Sequence, residues 1–226
     1  MVKSSETATA AEDGLSLRER KKRRTAIRIW RSAITLFAER GFDEVSVAEI
    51  AAAAEVSKMT VFNYFPSKED LVMAPMEQHT GEPAEVVRER APGTSVLDAL
   101  RDQFLAALAA FDPATGLSDD PMTIAVIRLI HRTPVLAMRA STSFTYAANQ
   151  VLAAELLAQD PAGDRLHAQV VASQLLGVRG ALTSENQRRM LAGERAAEVL
   201  PEAVENARRA FALVERGLGD YGAHRG

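Results

Sequence analysis

Lys58, Met59, Thr60 and Asn63 fall within six residues and bring together side-chain types that read the edges of nucleobases. A lysine ammonium donates to guanine O6 or N7, and an asparagine amide pairs with adenine N6 and N7. A methionine side chain or a threonine methyl packs against a thymine methyl. All four lie in a short helical pattern, Lys58 to Phe65, opened by Ser57 and closed by Pro66. Serine before a helix accepts from its exposed amides, and proline disfavours helical geometry in the residue that precedes it. The chemistry expected is hydrogen bonding to base edges from the first turn and one face of a short helix.

A helix presented to a duplex needs groups that hold it there. Ser46, Ser57, Tyr64 and Lys68 are the candidate donors to phosphate oxygens, helped by amides at helix N-termini. Arg18 to Arg24 is a basic run suited to sequence-independent attraction. Each assignment has a plainer competitor. The serines serve equally well as simple caps, Tyr64 as a packed core ring, and the basic run as a solvated helix end. Trp30 reads as packing rather than readout.

The elements that would position these groups follow from the pattern. Leu17 to Arg40 is a long first helix, its apolar stripe running through Ile27, Trp30, Ala33, Ile34 and Phe37, with Gly41 as its stop. Ser46 caps a second helix, Val47 to Ala54, with Glu49 as its capping-box partner. Ser67 caps a fourth, starting at Lys68 with Asp70 in its first turn. Two short helices joined by a tight break make a helix-turn-helix.

Residues 23 to 71 resemble the DNA-binding domain of the tetracycline-repressor (TetR) family. The resemblance is carried by Ile29, Ala33, Leu36, Phe37, Gly41, Val47, Ile50, Ala51, Ala54, Val56, Ser57, Thr60, Phe65, Ser67, Lys68 and Leu71. Two positions depart from the pattern. Glu55 stands where the turn usually holds glycine, which implies strain on the order of 1 kcal/mol if the backbone there has positive φ. Phe62 stands where many relatives carry tyrosine, so a phosphate contact through that hydroxyl is absent. The resemblance implies a homodimeric regulator that pairs through its last two long helices.

Composition agrees with an all-α chain of two parts. Of 226 residues 47% are apolar and only 5% aromatic, and there is no cysteine, which removes disulfides and thiolate chemistry. The net charge of −3 divides unevenly, because residues 17 to 68 hold eleven Lys/Arg against six Asp/Glu. That local excess attracts phosphate whatever the total. No apolar segment suited to secretion or to spanning a membrane is visible, so a soluble, cytoplasmic protein is expected. The organisation expected is a flexible tail over residues 1–16, a helix-turn-helix domain over 17–66, and an effector-binding and dimerisation domain of packed helices over 67–226.

In that second domain, Thr94 is expected to cap an amphipathic helix. A helix follows over Met122 to His131, then one from Pro134 to about Ala158, and two long ones, about Arg165 to Leu191 and Leu200 to Gly217. The last two carry Val171, Leu175, Val178 and Leu182, then Val204, Ala207, Phe211, Val214 and Leu218, at alternating three- and four-residue steps. They form the expected homodimer seam, the alternative being that both stripes face the chain's own core. A pocket for an unknown small, hydrophobic or acyl-bearing effector is expected among the central helices. Its walls would be Phe104, Leu108, Phe111, Ile127 and Met138, with His131, Thr145, Asn149 and Gln174 as polar groups. The fourth helix, which joins the two domains, is the expected lever between effector and DNA.

The reading is therefore a repressor that binds a pseudo-palindromic operator and is released by a ligand, with no cofactor and no metal. An activator or an effector-independent regulator is the nearest alternative. A helical carrier or enzyme is further off, because HExxH, GxSxG and a glycine-rich phosphate loop are all absent and the four histidines are dispersed.

Overall fold

The computed structural model describes residues 16–77, 79–160 and 163–217. Residues 1–15 of the expected tail, and Leu218, lie outside the described residues, whereas Ser16, the last residue of that expected tail, is described and caps the first helix. Among those described, every regular element is a helix.

The chain forms two compact units, dividing after Ala74. The first holds α1 (Leu17–Arg40), α2 (Val47–Ala53), α3 (Lys58–Tyr64) and the start of α4 (Asp70–Glu77). Its helices are short and depend on their caps. Ser16 with Glu19, and Ser46 with Glu49, make reciprocal capping boxes at the starts of α1 and α2. Ser67 accepts from the Asp70 amide at 3.1 Å while the Asp70 carboxylate accepts from the Ser67 amide at 2.7 Å. The expected capping pair is present, and regular helix starts at Asp70 rather than Lys68. Ile29, Ala33, Ile34 and Phe37 of α1 are buried in the core of this unit with Ile50, Val61 and Leu71. Phe37 and Phe42 pack at 5.1 Å between ring centroids.

The second unit contains α5 (Glu82–Glu89), α6 (Val96–Ala109), a 3₁₀ turn (Pro113–Thr115), α7 (Pro121–Arg132), α8 (Pro134–Arg139), α9 (Thr145–Gln159), α10 (Arg165–Leu191) and α11 (Ala196–Arg216). Three expected boundaries are corrected. Ser95, not Thr94, caps α6, its hydroxyl accepting from the Asp98 amide at 3.0 Å. The helix expected from Pro134 to Ala158 is interrupted by a π-turn over Ala140–Phe144. There the Thr142 and Thr145 hydroxyls donate to the carbonyls of Met138 and Ala140. The last helix begins at Ala196 rather than Leu200 and carries Pro201 inside it. Proline leaves the Ala197 carbonyl without its helical donor, and Ala197 is exposed, so water can take that bond.

One buried core joins α6, α10 and α11: Leu100, Phe104 and Leu108 of α6 pack with Leu175 and Leu182 of α10 and Phe211 of α11. The rings of Phe104 and Phe211 are 6.4 Å apart and tilted. The 3₁₀ turn lies on α10 so closely that a Cβ at Gly116 (φ +76°) would be 2.5 Å from the Thr183 carbonyl oxygen. Asn186, buried, donates to the Thr115 carbonyl at 2.8 Å.

The expected dimer seam is corrected by this core. Leu175, Leu182 and Phe211 are buried inside their own chain, and Val171, Val178, Val204 and Val214 pack against the same cluster. Three- and four-residue spacing marks a buried helix face but does not say which neighbour buries it. The outward faces of these helices instead expose Leu166 and Val170 on α10 and Leu213 on α11, and a Cβ at Gly177 or Gly180 would meet nothing within 4 Å.

Candidate nucleic-acid interface

The turn between α2 and α3 sets the direction of the short helix that follows. The Glu55 amide donates to Ala52 and the Val56 amide to Ala51, at 3.1 and 2.9 Å. This pair of bonds closes a helix with a left-handed residue between them. That residue is Glu55, with φ +52°, so the strain implied by its place in the sequence is present. Val56 and Ser57 then lead into α3. The Ser57 hydroxyl accepts from the Thr60 amide at 3.0 Å and is bonded to the Thr60 hydroxyl at 2.8 Å. Val61 and Phe65 anchor α3 in the core, leaving the opposite face free.

That free face carries the residues picked out by chemistry. Met59 is 69% exposed and Phe62 39%. Lys58 and Asn63 are exposed, and Thr60 is half-buried. The Lys58 ammonium lies 5.8 Å from the Phe62 ring centroid, so the phenyl ring supports the lysine where tyrosine would add a hydroxyl.

The expected phosphate donors divide in two. Ser46 and Ser57 are exposed at their helix starts but already use their hydroxyls as caps. Ser46 donates to Glu49, and the bonds from Ser46 with the Arg40 guanidinium hold the Glu49 carboxyl at about 2. Tyr64 is half-buried. Lys68 turns toward the unit's own surface, 4.5 Å from the Phe42 ring centroid and 3.5 Å from the Asp43 carbonyl oxygen. It braces the loop between α1 and α2, which sequence reasoning did not foresee. Spacing cannot reveal a contact that spans 25 residues.

The basic run is helical. Arg18 to Arg24 occupy the first two turns of α1, with no buried residue before Ile29. None of its cations is in an ion pair among the described residues. Trp30 is packed rather than displayed, and its indole N–H is enclosed without an acceptor; nothing in the structure accounts for that.

The candidate effector residues are not gathered around one space. Phe104, Leu108 and Ile127 are buried core, whereas Phe111 and Met138 are exposed. Thr145 and Gln174 are exposed, with Gln174 on the outer side of α10. His131 is within 3.2 Å of the Gln187 amide oxygen, and Asn149 donates to Ser173 at 2.8 Å. Two cavities of this unit, about 410 and 280 Å³, have other linings. One is a groove with Arg101, Arg208 and Glu215 at its edge, and the other lies among Arg90, Leu156 and His167.

No group of three or more metal-ligating side chains occurs among the described residues. No described helix is long and apolar enough to cross a membrane.

Residues 29–74, which hold the turn, α3 and the serines that cap α2 and α3, match the bacterial regulatory proteins of the tetR family. The transcriptional regulator TcmR of Streptomyces glaucescens is 34% identical over 125 residues, 55% of this chain and 55% of that protein, so the chain spans about half of TcmR's length. The MftR regulator of Mycobacterium tuberculosis is 32% identical over 151 residues, 65% of this chain and 71% of its own. Among solved structures, Thermus thermophilus FadR in complex with lauroyl-CoA has the same fold. Its TM-score is 0.51 over 89% of this chain and 100% of its own, at 23% identity. With the helix-turn-helix matching the family and MftR matched at 32% identity over 71% of its own length, the chain belongs to the TetR family.

Proposed function

We propose that the protein is a DNA-binding transcriptional repressor that acts as a homodimer and leaves its operator when a small apolar ligand binds the second unit. The observation that carries this reading is the outward face of α3, where Lys58, Met59 and Asn63 stand exposed on a helix anchored from behind by Val61. The relatives are transcription regulators, which weighs against catalysis.

One seven-residue helix offers too few contacts for specific binding. A symmetric pair binding two half-sites, one duplex turn or more apart, doubles them. The dimer surface is the outer side of α10 and α11, where Leu166, Val170 and Leu213 are exposed and Gly177 and Gly180 leave room for a second backbone. The ligand acts by linkage, favouring a spacing of the two α3 helices that no longer fits successive grooves. A coupling of about 1–3 kcal/mol changes operator affinity roughly 5–150-fold. The lever is α4, whose backbone continues from one unit into the other. Its last turn is held by Arg139, which donates to Glu77 at 2.8 Å directly before the π-turn. FadR, solved with lauroyl-CoA, supports an acyl-bearing or otherwise hydrophobic ligand.

Selection of bound sites from random duplexes tests the reading, and an inverted repeat is the expected product. Lys58→Ala should then weaken binding to the selected site by about 1–3 kcal/mol and relax one position of the sequence preference. An equal loss on selected and random DNA would make Lys58 a phosphate contact only. Enrichment of no sequence would remove the reading altogether.

A further inference from the structure

The outward face of α3 is apolar at its centre and polar at its sides. At about 100° per residue, Thr60, Asn63, Met59, Phe62 and Lys58 follow one another around the helix. Met59 lies nearly opposite the buried Val61 and is 69% exposed. Phe62, 39% exposed, stands between Met59 and Lys58. Thr60, at the margin, is half-buried, and its hydroxyl is bonded to that of Ser57 at 2.8 Å. The apolar surface that α3 can offer is therefore made by Met59 and Phe62.

The ring of Phe62 also touches the polar side of the face. The Lys58 ammonium lies 5.8 Å from its centroid. An aromatic face attracts a cation, and so narrows the directions in which a flexible four-carbon stem can swing. Neither apolar side chain is needed to hold the helix, because Val61 and Phe65 anchor α3 from behind. Two large apolar groups side by side in water on a helix of seven residues mark a contact surface. The charge around them selects the occupant. Residues 17 to 68 hold eleven Lys/Arg against six Asp/Glu, an excess that draws a polyanion rather than an apolar protein face. In the major groove of a duplex, the apolar group on the base edges is the C5 methyl of thymine. The other groups there are donors and acceptors, which an apolar side chain would leave unpaired.

We propose that Met59 and Phe62 together read thymine C5 methyl groups in each half-site, and that the face of the Phe62 ring positions Lys58 for donation to a guanine. Phe62 thus has a base-reading role of its own at a place where tyrosine would add a phosphate donor. Lys58 and Phe62 are about 6 Å apart along the helix, less than two base-pair steps, so the guanine and the thymine lie within two base pairs of each other. The proposal rests on the operator-binding reading above and deepens it, by naming the base chemistry that α3 selects.

The test uses the full-length protein and the duplex enriched from random DNA. Each thymine of a half-site is replaced in turn by deoxyuridine, which removes the C5 methyl and keeps the pairing edge. At least one replacement should weaken binding roughly 3- to 10-fold, the worth of one buried methyl group. Met59→Ala and Phe62→Ala should each weaken binding to the thymine duplex. The double variant should bind the thymine and deoxyuridine duplexes equally, because the two losses are one interaction. Phe62→Ala should relax the same guanine position as Lys58→Ala, and Phe62→Tyr, which keeps the ring, should preserve it. Each variant should unfold at the temperature of the parent, since both side chains are exposed.

Four outcomes overturn the proposal. Unchanged affinity at every deoxyuridine replacement means that the methyl group is not read. A penalty that persists in the double variant belongs to the shape of the duplex and not to these side chains. A guanine preference intact in Phe62→Ala separates the ring from Lys58. Unfolding several degrees below the parent, in either alanine variant, makes the side chain part of the fold. In all four the operator-binding reading stands, because the duplex was selected beforehand, whereas enrichment of no sequence removes both.

Discussion

The ends of α2 and α10 are closed by the same two hydrogen bonds and built from different residues. After α10, the Gly193 amide donates to Met190 and the Glu194 amide to Arg189. Glycine holds the left-handed position there, with φ +88°. After α2, Glu55 holds it with φ +52°. A third end, after α6, follows the α2 version: Phe111 has φ +54°, its amide donates to Leu108, and the Asp112 amide donates to Ala107. The glycine closure joins the last two long helices. The strained closures stand next to the recognition face of α3 in one case and directly before the 3₁₀ turn that packs on α10 in the other. Strained backbone collects where a chain must aim side chains rather than merely turn. The stable joint and the aiming joints of this molecule thus differ in residue type, not in hydrogen bonding.

The comparison breaks most sharply where space as well as φ demands glycine. Gly116→Ala places a methyl 2.5 Å from a backbone oxygen of α10 in addition to straining φ. The expected loss is about 2–4 kcal/mol in urea unfolding of the second unit. A loss below 1 kcal/mol would show that the 3₁₀ turn can lift from α10, and would remove the argument that it is held there.

A matched pair sharpens it. At Gly193 a Cβ would meet nothing within 4 Å, so Gly193→Ala tests backbone conformation alone and should cost about 1 kcal/mol. Glu55→Gly should change stability by a similar amount in the opposite direction. Urea midpoints moving in opposite senses would confirm strain as the difference between the two joints. If Glu55→Gly leaves the midpoint unchanged, the glutamate side chain compensates its own backbone.

The sequence was most readable where structure is made locally. Ser46 with Glu49, Ser57 and Gly41 all follow from neighbours within a few residues and are in place, whereas the left-handed backbone at Glu55 was legible only through the family resemblance. Local signals also misled by small steps, as at Thr94 and Ser95, where two adjacent hydroxyl residues compete for one cap. What could not be read depends on contacts between distant segments. Lys68 over Phe42 is one case and Arg179 between Gln103 and Phe104 another. The periodicity of α10 and α11 identified buried faces correctly but not the neighbour that buries them. The π-turn also had no visible signal, because Ala140 to Thr145 contains no proline or glycine to mark it.

The opposite end of α2 provides the mildest test. Its start is held by Ser46 and Glu49, with Arg40 bonded to the same carboxylate at 2.7 Å, as its far end is strained by Glu55. Hydrogen bonds from Ser46, then the Arg40 contact, lower the Glu49 pKa to about 2 from the usual carboxylate value near 4.5. A carboxylate whose folded pKa is depressed stabilises the folded state above its unfolded pKa. That contribution fades as pH falls toward the folded one. Glu49→Gln retains a capping side chain but not the charge, so its unfolding temperature should lie slightly below the parent's near neutral pH. The gap should narrow as pH falls from about 4.5 toward 2, as linkage requires. Because Glu49 is on the surface, salt should shrink the neutral-pH gap as well. A gap independent of both pH and salt would assign the α2 start to hydrogen-bond geometry alone, and would leave the strained far end as the only feature of this helix that responds to a change of residue type.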